Sequence, residues 1–163
     1  MILTHDEILN EIKNRRIQID PFDESSIGPA TVDLTLGRKL RVFSHGKEIV
    51  EFDYEKSTTP LEFDEYLLSP GELVLGITLE RIKLPGDICG FLNSRSRFAR
   101  LGLMSHISAP FISPGIDNHQ VLEIYNAGPR PIKLIPGTKI CHIVFAKCIG
   151  SATYTGIFKN QGL

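Results

Sequence analysis

Arg95, Arg97 and Arg100 alternate with Ser94 and Ser96 in one short stretch of the sequence. Guanidinium groups, serine hydroxyls and the free backbone N–H groups at a helix start together make a good site for phosphate oxygens. A solvated arginine face that makes weak surface ion pairs is an equally good interpretation. The stretch is therefore a candidate phosphate site with a surface alternative.

Glu123 is the candidate general base. It lies in the apolar run VLEIYN, where burying a carboxylate costs free energy unless something pairs with it or uses it. The alternative is that its side chain points to solvent from an edge strand. His106, in MSHISAP, has the same two interpretations: a catalytic group or a satisfied structural histidine.

The sequence lacks the motifs of several enzyme classes. Zinc deaminases combine an H-x-E element with P-C-x-x-C; His5 to Glu7 matches the first, but the second is absent, and Thr4 to Glu7 is better explained as a helix start. The chain also has neither a GxxxxGK[ST] phosphate loop nor a GxGxxG turn. Zinc, P-loop and dinucleotide chemistry are therefore not indicated.

The elements that must position these residues are mainly strands. Alternation over residues 30–36 places Val32, Leu34 and Leu36 on one face, as in a half-buried strand. Turns are marked by four Pro-Gly pairs beside β-branched or aliphatic runs. The pairs are Pro70-Gly71, Pro85-Gly86, Pro114-Gly115 and Pro136-Gly137. Many short strands with such turns predict a sandwich, jelly roll or barrel.

Two short helices and one irregular segment interrupt this pattern. Capping-box spacing of Thr4 and Glu7 predicts an amphipathic helix that ends near Arg16, with Ile8, Leu9 and Ile12 on its buried face. Spacing of Phe98, Leu101 and Leu103 predicts a short inserted helix over residues 94–103. The polar segment 46–64 is expected to form a long excursion or hairpin.

Composition limits the possible partners. The chain has 163 residues, enough for one domain over 1–163, with 42% hydrophobic residues, 23% charged residues and a net charge of -1. That charge gives no general attraction to a nucleic acid polymer. No apolar run approaches the length of a membrane-spanning helix, and no targeting segment precedes the first helix. We therefore expect a cytoplasmic protein that does not bind a membrane. Three cysteines, Cys89, Cys141 and Cys148, indicate buried free thiols.

Long stretches of the chain resemble the dCTP deaminase family. They are ILTHDEI, PATVDLTLG, SPGELVLGITLERIKLPGDICGFL, SRSRFARLGLMSHISAPFISPG and VLEIYNAGPRPIKLIPGTKI. The resemblance implies a dUTPase-like distorted β-barrel or jelly roll, assembled as a homotrimer with active sites between subunits. It implies deamination of dCTP to dUTP and ammonia without zinc, with dCTP, dUTP and dTTP as nucleotide partners.

The resemblance also assigns roles to residues. Glu123 would be the catalytic base, Ser96 would orient the water, and Arg100 would stabilise developing negative charge. Backbone groups from His106 to Ala109 would read the base. Magnesium would bind through the substrate triphosphate and not through protein side chains. The implied substrate contacts are Arg95, Ser96, Arg97, Arg100, His106, Ala109, Ser113, Val121, Leu122, Glu123, Tyr154, Lys159 and Gln161.

The chain departs from the family pattern at several positions. Ser113 replaces the aspartate that precedes Pro-Gly, which makes pyrophosphate release from dUTP less expected. Asn93-Ser94 replaces an Asp-Gly pair, Arg97 a serine, and His142 a glutamine. Residues 150–163 resemble the flexible C-terminal lid with which the family closes over the triphosphate, with Tyr154 and Gln161 in place. In this lid Ile157 replaces a lysine whose charge Lys159 could supply.

Three functions therefore remain open. The first is a dCTP deaminase, and the second is a dUTP diphosphatase or an enzyme that combines both activities. The third is a nucleotide-binding protein with the same fold and no turnover. Release of ammonia, release of pyrophosphate, or binding without product would distinguish them.

Overall fold

The computed structural model describes residues 1–44, 46, 49 and 53–163. The strands are β1 (Gln18–Asp20), β2 (Val32–Phe43), β3 (Thr58–Glu62), β4 (Tyr66–Leu68), β5 (Leu73–Lys83), β6 (Ile88–Ser94), β7 (Leu103–Met104), β8 (Phe111–Ile112), β9 (Asp117–Asn126), β10 (Ile132–Leu134) and β11 (Lys139–Lys147). The helices are α1 (His5–Lys13), α2 (Tyr54–Ser57) and α3 (Ser96–Ala99), with 3₁₀ turns at Glu24–Ser26 and Ile157–Asn160.

Within those residues nine strands form one curled, antiparallel sheet. Its path is β7-β9-β5-β2-β11-β6-β8, with β1 beside β5 and β3 beside β2, while β4 and β10 form a separate two-stranded sheet. The mainly β fold with short helices is thus confirmed. None of the helices in the described ranges is both long and apolar enough to cross a lipid bilayer.

The strand pattern and the turns match the sequence expectation. Val32, Leu34 and Leu36 are buried, and their strand continues to Phe43. Each Pro-Gly pair lies between two strands, and three of these glycines have the positive φ that a tight turn requires of glycine. The fully buried core combines residues of β2, β5, β9 and β11, among them Leu34, Leu40, Ile82, Leu122, Ile124 and Phe145.

α1 begins after Thr4, as predicted, but it lacks the predicted capping bond and ends earlier than predicted. Ile8 is fully buried, whereas the Thr4 side chain makes no capping hydrogen bond, so the predicted capping box is wrong. The first turn instead closes through the backbone, where Ile8 N donates to Thr4 O at 2.9 Å. The helix ends at Lys13, and Arg15 adopts a left-handed φ of 56°.

The inserted helix is shorter than predicted. α3 has one turn, and the chain leaves it through Gly102, whose φ is 88°. Phe98 packs against the core, but Leu101 is 64% exposed and Leu103 belongs to β7. The prediction that these three share a helical face is therefore wrong, because a glycine in the left-handed region ends the helix before its second turn.

The expected excursion over residues 46–64 includes a strand in its second half. β3 pairs antiparallel with β2, which makes the segment the returning arm of a hairpin. Residues 45, 47, 48 and 50–52 lie outside the described residues. Elsewhere the cysteines are free, with Cys89 and Cys141 buried and Cys148 partly exposed. Burial raises the pKa of the Cys141 thiol, so this group stays a neutral core residue.

Candidate active site

Glu123 lies in the middle of β9, between two fully buried neighbours, Leu122 and Ile124. Its side chain is half-buried on the opposite face of the strand. One carboxylate oxygen, Oε2, accepts hydrogen bonds from the backbone N–H groups of Ile107 and Ser108, both at 2.9 Å. These charge-assisted bonds hold the carboxylate in one orientation.

The second carboxylate oxygen of Glu123 is available for chemistry. In the described part of the chain, Glu123 Oε1 has no hydrogen-bond or ion-pair partner. Glu123 also lines a cavity of about 400 Å³. A carboxylate fixed through one oxygen, with the other oxygen free beside a cavity, can accept a proton from a bound water and return it.

The cavity is lined by six of the thirteen predicted substrate-binding residues. Its wall is formed by apolar and polar side chains from β8, β9, the loop before β8 and the C-terminal segment, residues 152–161. Of the predicted substrate-binding residues, those that line it are Ala109, Ser113, Val121, Glu123, Tyr154 and Gln161. Leu122 is fully buried in the core instead. Lys159 is exposed in the final 3₁₀ turn.

His106 lies beside the loop that holds Glu123. Its Nδ1 atom is buried and has no hydrogen-bond partner among the residues that the structure describes. A buried nitrogen of this kind is costly without a partner.

The second predicted group lies at α3 and is separate from Glu123. Arg95 donates from Nη1 to Lys139 O at 2.7 Å and pairs through Nη2 with Asp33 Oδ2 at 3.0 Å. The side chains of Ser96, Arg97 and Arg100 are exposed. Across the described ranges, no hydrogen bond or ion pair joins Glu123 to this group.

The positions that depart from the family pattern lie in different environments. Asn93 and His142 face each other across β6 and β11. Burial lowers the pKa of His142. The charge of Asp33 raises this pKa and that of Arg95 lowers it, both by smaller amounts. Ile157 is 90% exposed in the C-terminal segment. Among residues 1–44, 46, 49 and 53–163, no group of three or more His, Cys, Asp or Glu side chains could hold a metal ion.

Comparison with protein families gives a match to the dCTP deaminase-like family over residues 2–148. This chain belongs to that family. A dCTP deaminase, dUMP-forming, from Parafrankia sp. is 40% identical, with 99% of this chain and 87% of the relative covered. A protein of the same name from Streptomyces coelicolor is 39% identical over 86% of this chain and 76% of its own length.

Solved structures show the same fold for this dCTP deaminase-like protein. The 2'-deoxycytidine 5'-triphosphate deaminase from Agrobacterium tumefaciens aligns with a TM-score of 0.69 at 23% identity. The alignment covers 88% of this chain, which spans 47% of the Agrobacterium chain. A Staphylococcus bacteriophage 80alpha dUTPase variant aligns with a TM-score of 0.53 at 14% identity, covering 86% and 96% of the two chains. The dUTPase-like fold is therefore confirmed.

Sequence reasoning missed three polar residues of β9 in this dCTP deaminase-like chain. Asn118, Gln120 and Asn126 occupy the buried face of the strand, and the first two line the cavity. The alternation DNHQVLEIYN carries the signal, because Leu122 and Ile124 fix which face is inward. Extending that face by two residues toward the C-terminus reaches Asn126, and extending it by two and four residues toward the N-terminus reaches Gln120 and Asn118.

Proposed function

We propose that this protein hydrolyses dCTP to dUMP and releases ammonia and pyrophosphate. One water replaces the C4 amine of cytosine, and a second cleaves the bond between the α-phosphorus and the pyrophosphate. The observation that carries the proposal is the Glu123 carboxylate, held by the N–H groups of Ile107 and Ser108 beside the cavity. The relatives named dCTP deaminase, dUMP-forming, support the substrate and the product.

In the first step Glu123 takes a proton from water as that water attacks C4. The carboxyl group delivers this proton to N3. It then takes the proton of the new C4 hydroxyl as the C4 carbonyl forms and passes it to the amino group, which leaves as ammonia. General acid-base catalysis of this kind contributes about 10²–10⁴-fold to the rate. Ser96 orients the water and Arg100 stabilises the negative charge that develops, both from a neighbouring copy of the chain. No zinc takes part in this route.

The product is where the sequence expectation changes. The resemblance implies dUTP as the product, whereas the relatives are named dUMP-forming, which favours dUMP. One observation favours dUTP as a second candidate product. Among the described residues that line the cavity, Glu123 is the one acidic side chain, since Ser113 offers a hydroxyl. A hydroxyl can bind the sugar but is a much weaker base than a carboxylate.

Magnesium enters with the nucleotide in this proposal. The described residues offer no set of acidic side chains suited to a protein-bound ion. A Mg²⁺ ion commonly keeps several waters and binds through substrate phosphates. It would neutralise phosphate charge when bound, and Arg95, Arg97 and Lys159 would supply further positive charge to the triphosphate.

The active site is completed between copies of the chain, which we propose form a homotrimer. Among the described residues, no hydrogen bond or ion pair joins the exposed side chains of Ser96 and Arg100 to Glu123. Exposed apolar side chains of the chain include Leu79 at 48%, Ile107 at 42% and Phe111 at 55% exposure. Apolar surface of this kind is typical of an interface. Each site would then combine Glu123 of one copy with α3 of another.

A product assay tests the proposal. The protein is incubated with dCTP and Mg²⁺, and ammonia, pyrophosphate, dUMP and dUTP are measured together. We expect ammonia and pyrophosphate in equal amounts, with dUMP as the final nucleotide. Ammonia with accumulating dUTP selects the second candidate. Tight binding of dCTP without either product overturns the proposal and selects a nucleotide-binding protein without turnover.

A further inference from the structure

Asn118 and Gln120 form a buried amide pair on the interior face of β9. Each side chain is 6% exposed. The same face continues with the apolar residues Leu122 and Ile124, which is what a strand facing the core requires. An amide in such a position costs free energy unless its polar atoms are hydrogen-bonded. The partners of these two amides therefore indicate what they do.

The pair forms a chain of hydrogen bonds that leads from β5 to the C-terminal segment. Gln120 N donates to Thr78 Oγ1 at 2.9 Å, where the β5–β9 pairing is irregular. Gln120 Nε2 donates to Asn118 Oδ1 at 2.7 Å. Asn118 Nδ2 then donates to the backbone carbonyls of Phe158 at 3.0 Å and Lys159 at 3.2 Å.

The C-terminal segment, residues 152–161, is also held by bonds in the opposite direction. Gln161 Nε2 donates to His119 O at 3.1 Å. Ala152 N donates to Gly86 O at 2.8 Å, and Tyr154 N donates to Pro114 O at 3.0 Å. The segment therefore lies along β9 and two of the Pro-Gly turns of its own chain.

Glycine in these turns makes room for the segment. A Cβ atom at Gly115 would lie 2.8 Å from Thr153 Cα, and one at Gly86 would lie 3.0 Å from Ala152 O. Both approaches are closer than normal van der Waals contact. The path of the C-terminal segment thus depends on the shape of the turns as well as on the amide pair.

We propose that Asn118, oriented by Gln120, is a positioning residue that anchors the C-terminal segment over the cavity of its own chain. The anchored segment contributes Tyr154, Phe158 and Gln161 to the cavity wall. Asn118 acts on the nucleotide through these side chains. The effect on the substrate rests on the function proposed above, whereas the anchor itself does not.

Asn118→Asp tests the anchor with minimal change of shape. The carboxylate still accepts from Gln120 Nε2, but it has no hydrogen to donate to the carbonyls of Phe158 and Lys159. We expect hydrogen exchange of the backbone amides in residues 152–161 to become about tenfold faster, which corresponds to roughly 1.4 kcal/mol and lies within the range for a lost hydrogen bond. Asp117→Asn is the matched control, because it changes one charge on the opposite face, and its exchange should equal that of the wild type.

Kinetics with dCTP then test the positioning role. In Asn118→Asp the KM should rise about tenfold, while kcat changes little because the hydrogen bonds of Glu123 are untouched. Gly86→Ala adds a Cβ atom against the C-terminal segment at the Pro85-Gly86 turn and leaves the amide pair unchanged. It should give the same faster exchange of residues 152–161. Faster exchange throughout β5 and β9 in Asn118→Asp would mean a general loss of folding, and Gly86→Ala then decides.

Unchanged exchange of residues 152–161 in Asn118→Asp overturns the anchor, whatever Gly86→Ala shows. Faster exchange with an unchanged KM for dCTP overturns the positioning role. A wild-type protein that releases no ammonia is a failure of the proposed function alone, and the exchange measurement still decides the anchor in that protein.

Discussion

Glu123 depends on two backbone N–H groups for its orientation, and backbone donors cannot be removed by ordinary side-chain substitution. Ile107 and Ser108 supply them from an exposed loop. The carboxylate geometry is therefore a property of the loop conformation as much as of residue 123. A base held in this way needs little reorganisation during the reaction.

Ser108→Pro removes one of these donors, since proline has no N–H group. We expect kcat for ammonia release to fall about tenfold or more, because a hydrogen bond to a charged group contributes roughly 1.5–3 kcal/mol. Ser108→Ala keeps the N–H and is the matched control, with activity near that of the wild type. Equal rates in the two variants would contradict the proposed role of the loop.

His142 predicts a pH dependence of stability. Its pKa in the folded protein lies below the ordinary 6.5, mainly through burial, whereas in the unfolded chain it is free to titrate normally. As the pH falls through 6.5, the unfolded state takes up more protons at this residue, so the free energy of unfolding decreases. The contribution of His142 to the free energy of unfolding is therefore fully present above the pKa of the unfolded chain and decreases as the pH falls below it.

His142→Gln removes this titration. Urea unfolding from about pH 8 to about pH 5 should show a smaller loss of unfolding free energy in the variant than in the wild type. Parallel curves for the two proteins over that range would mean that His142 titrates alike in the folded and unfolded states.

At the scale of elements, Asn126 closes the end of β9. Its Nδ2 donates to Leu68 O at 3.0 Å and to Arg130 O at 2.9 Å, and its Oδ1 accepts from Gly128 N at 2.9 Å. Because the residue is fully buried, no water can replace these partners. The side chain thereby links β9 to β4 and to the turn that follows.

Asn126→Ala should lower the free energy of unfolding by about 2–4 kcal/mol, from three lost hydrogen bonds and the buried groups left without partners. Asn93→Ala is the comparison, because the exposed Asn93 makes one weak bond of 3.4 Å to Phe91 O. Urea denaturation should show a change of less than about 0.5 kcal/mol for that variant. A small effect of Asn126→Ala would show that the corner forms without its amide.

Strands and turns could be predicted because their signals are local. The alternation of Val32, Leu34 and Leu36 and the Pro-Gly pairs required no knowledge of distant contacts. The buried amides of β9 could not be predicted, since Asn118 and Gln120 are residue types that usually lie on a solvated face. Their partners, Thr78 and the backbone of residues 158–159, lie about forty positions away along the chain.

The candidate site was predictable only in part for the same reason. Glu123 stood out as a carboxylate in an apolar run, but the loop donors at positions 107 and 108 are backbone groups with no signature in the sequence. Likewise, α3 is short because Gly102 adopts a positive φ, and Leu101 is exposed as a result. The sequence shows the glycine but does not show which φ it adopts.

At the scale of the whole molecule, shared active sites predict complementation. Glu123→Gln and Arg100→Ala should each abolish ammonia release when present in every subunit. After the two variants are unfolded and refolded together, about a quarter of the interfaces should pair two unmodified halves in a closed cyclic oligomer. We therefore expect activity to return toward that fraction of the wild-type rate. No recovery, in mixtures shown by sedimentation to contain mixed oligomers, would contradict a shared site.

The most direct test of the central claim is ammonia release from dCTP by Glu123→Gln. The amide keeps the size of the side chain and one oxygen for the N–H groups of Ile107 and Ser108, but it cannot take up a proton from water. We predict that dCTP still binds and that the rate falls by at least about 10²-fold. Ammonia release at the wild-type rate would contradict the account, because Glu123 would then not be the base.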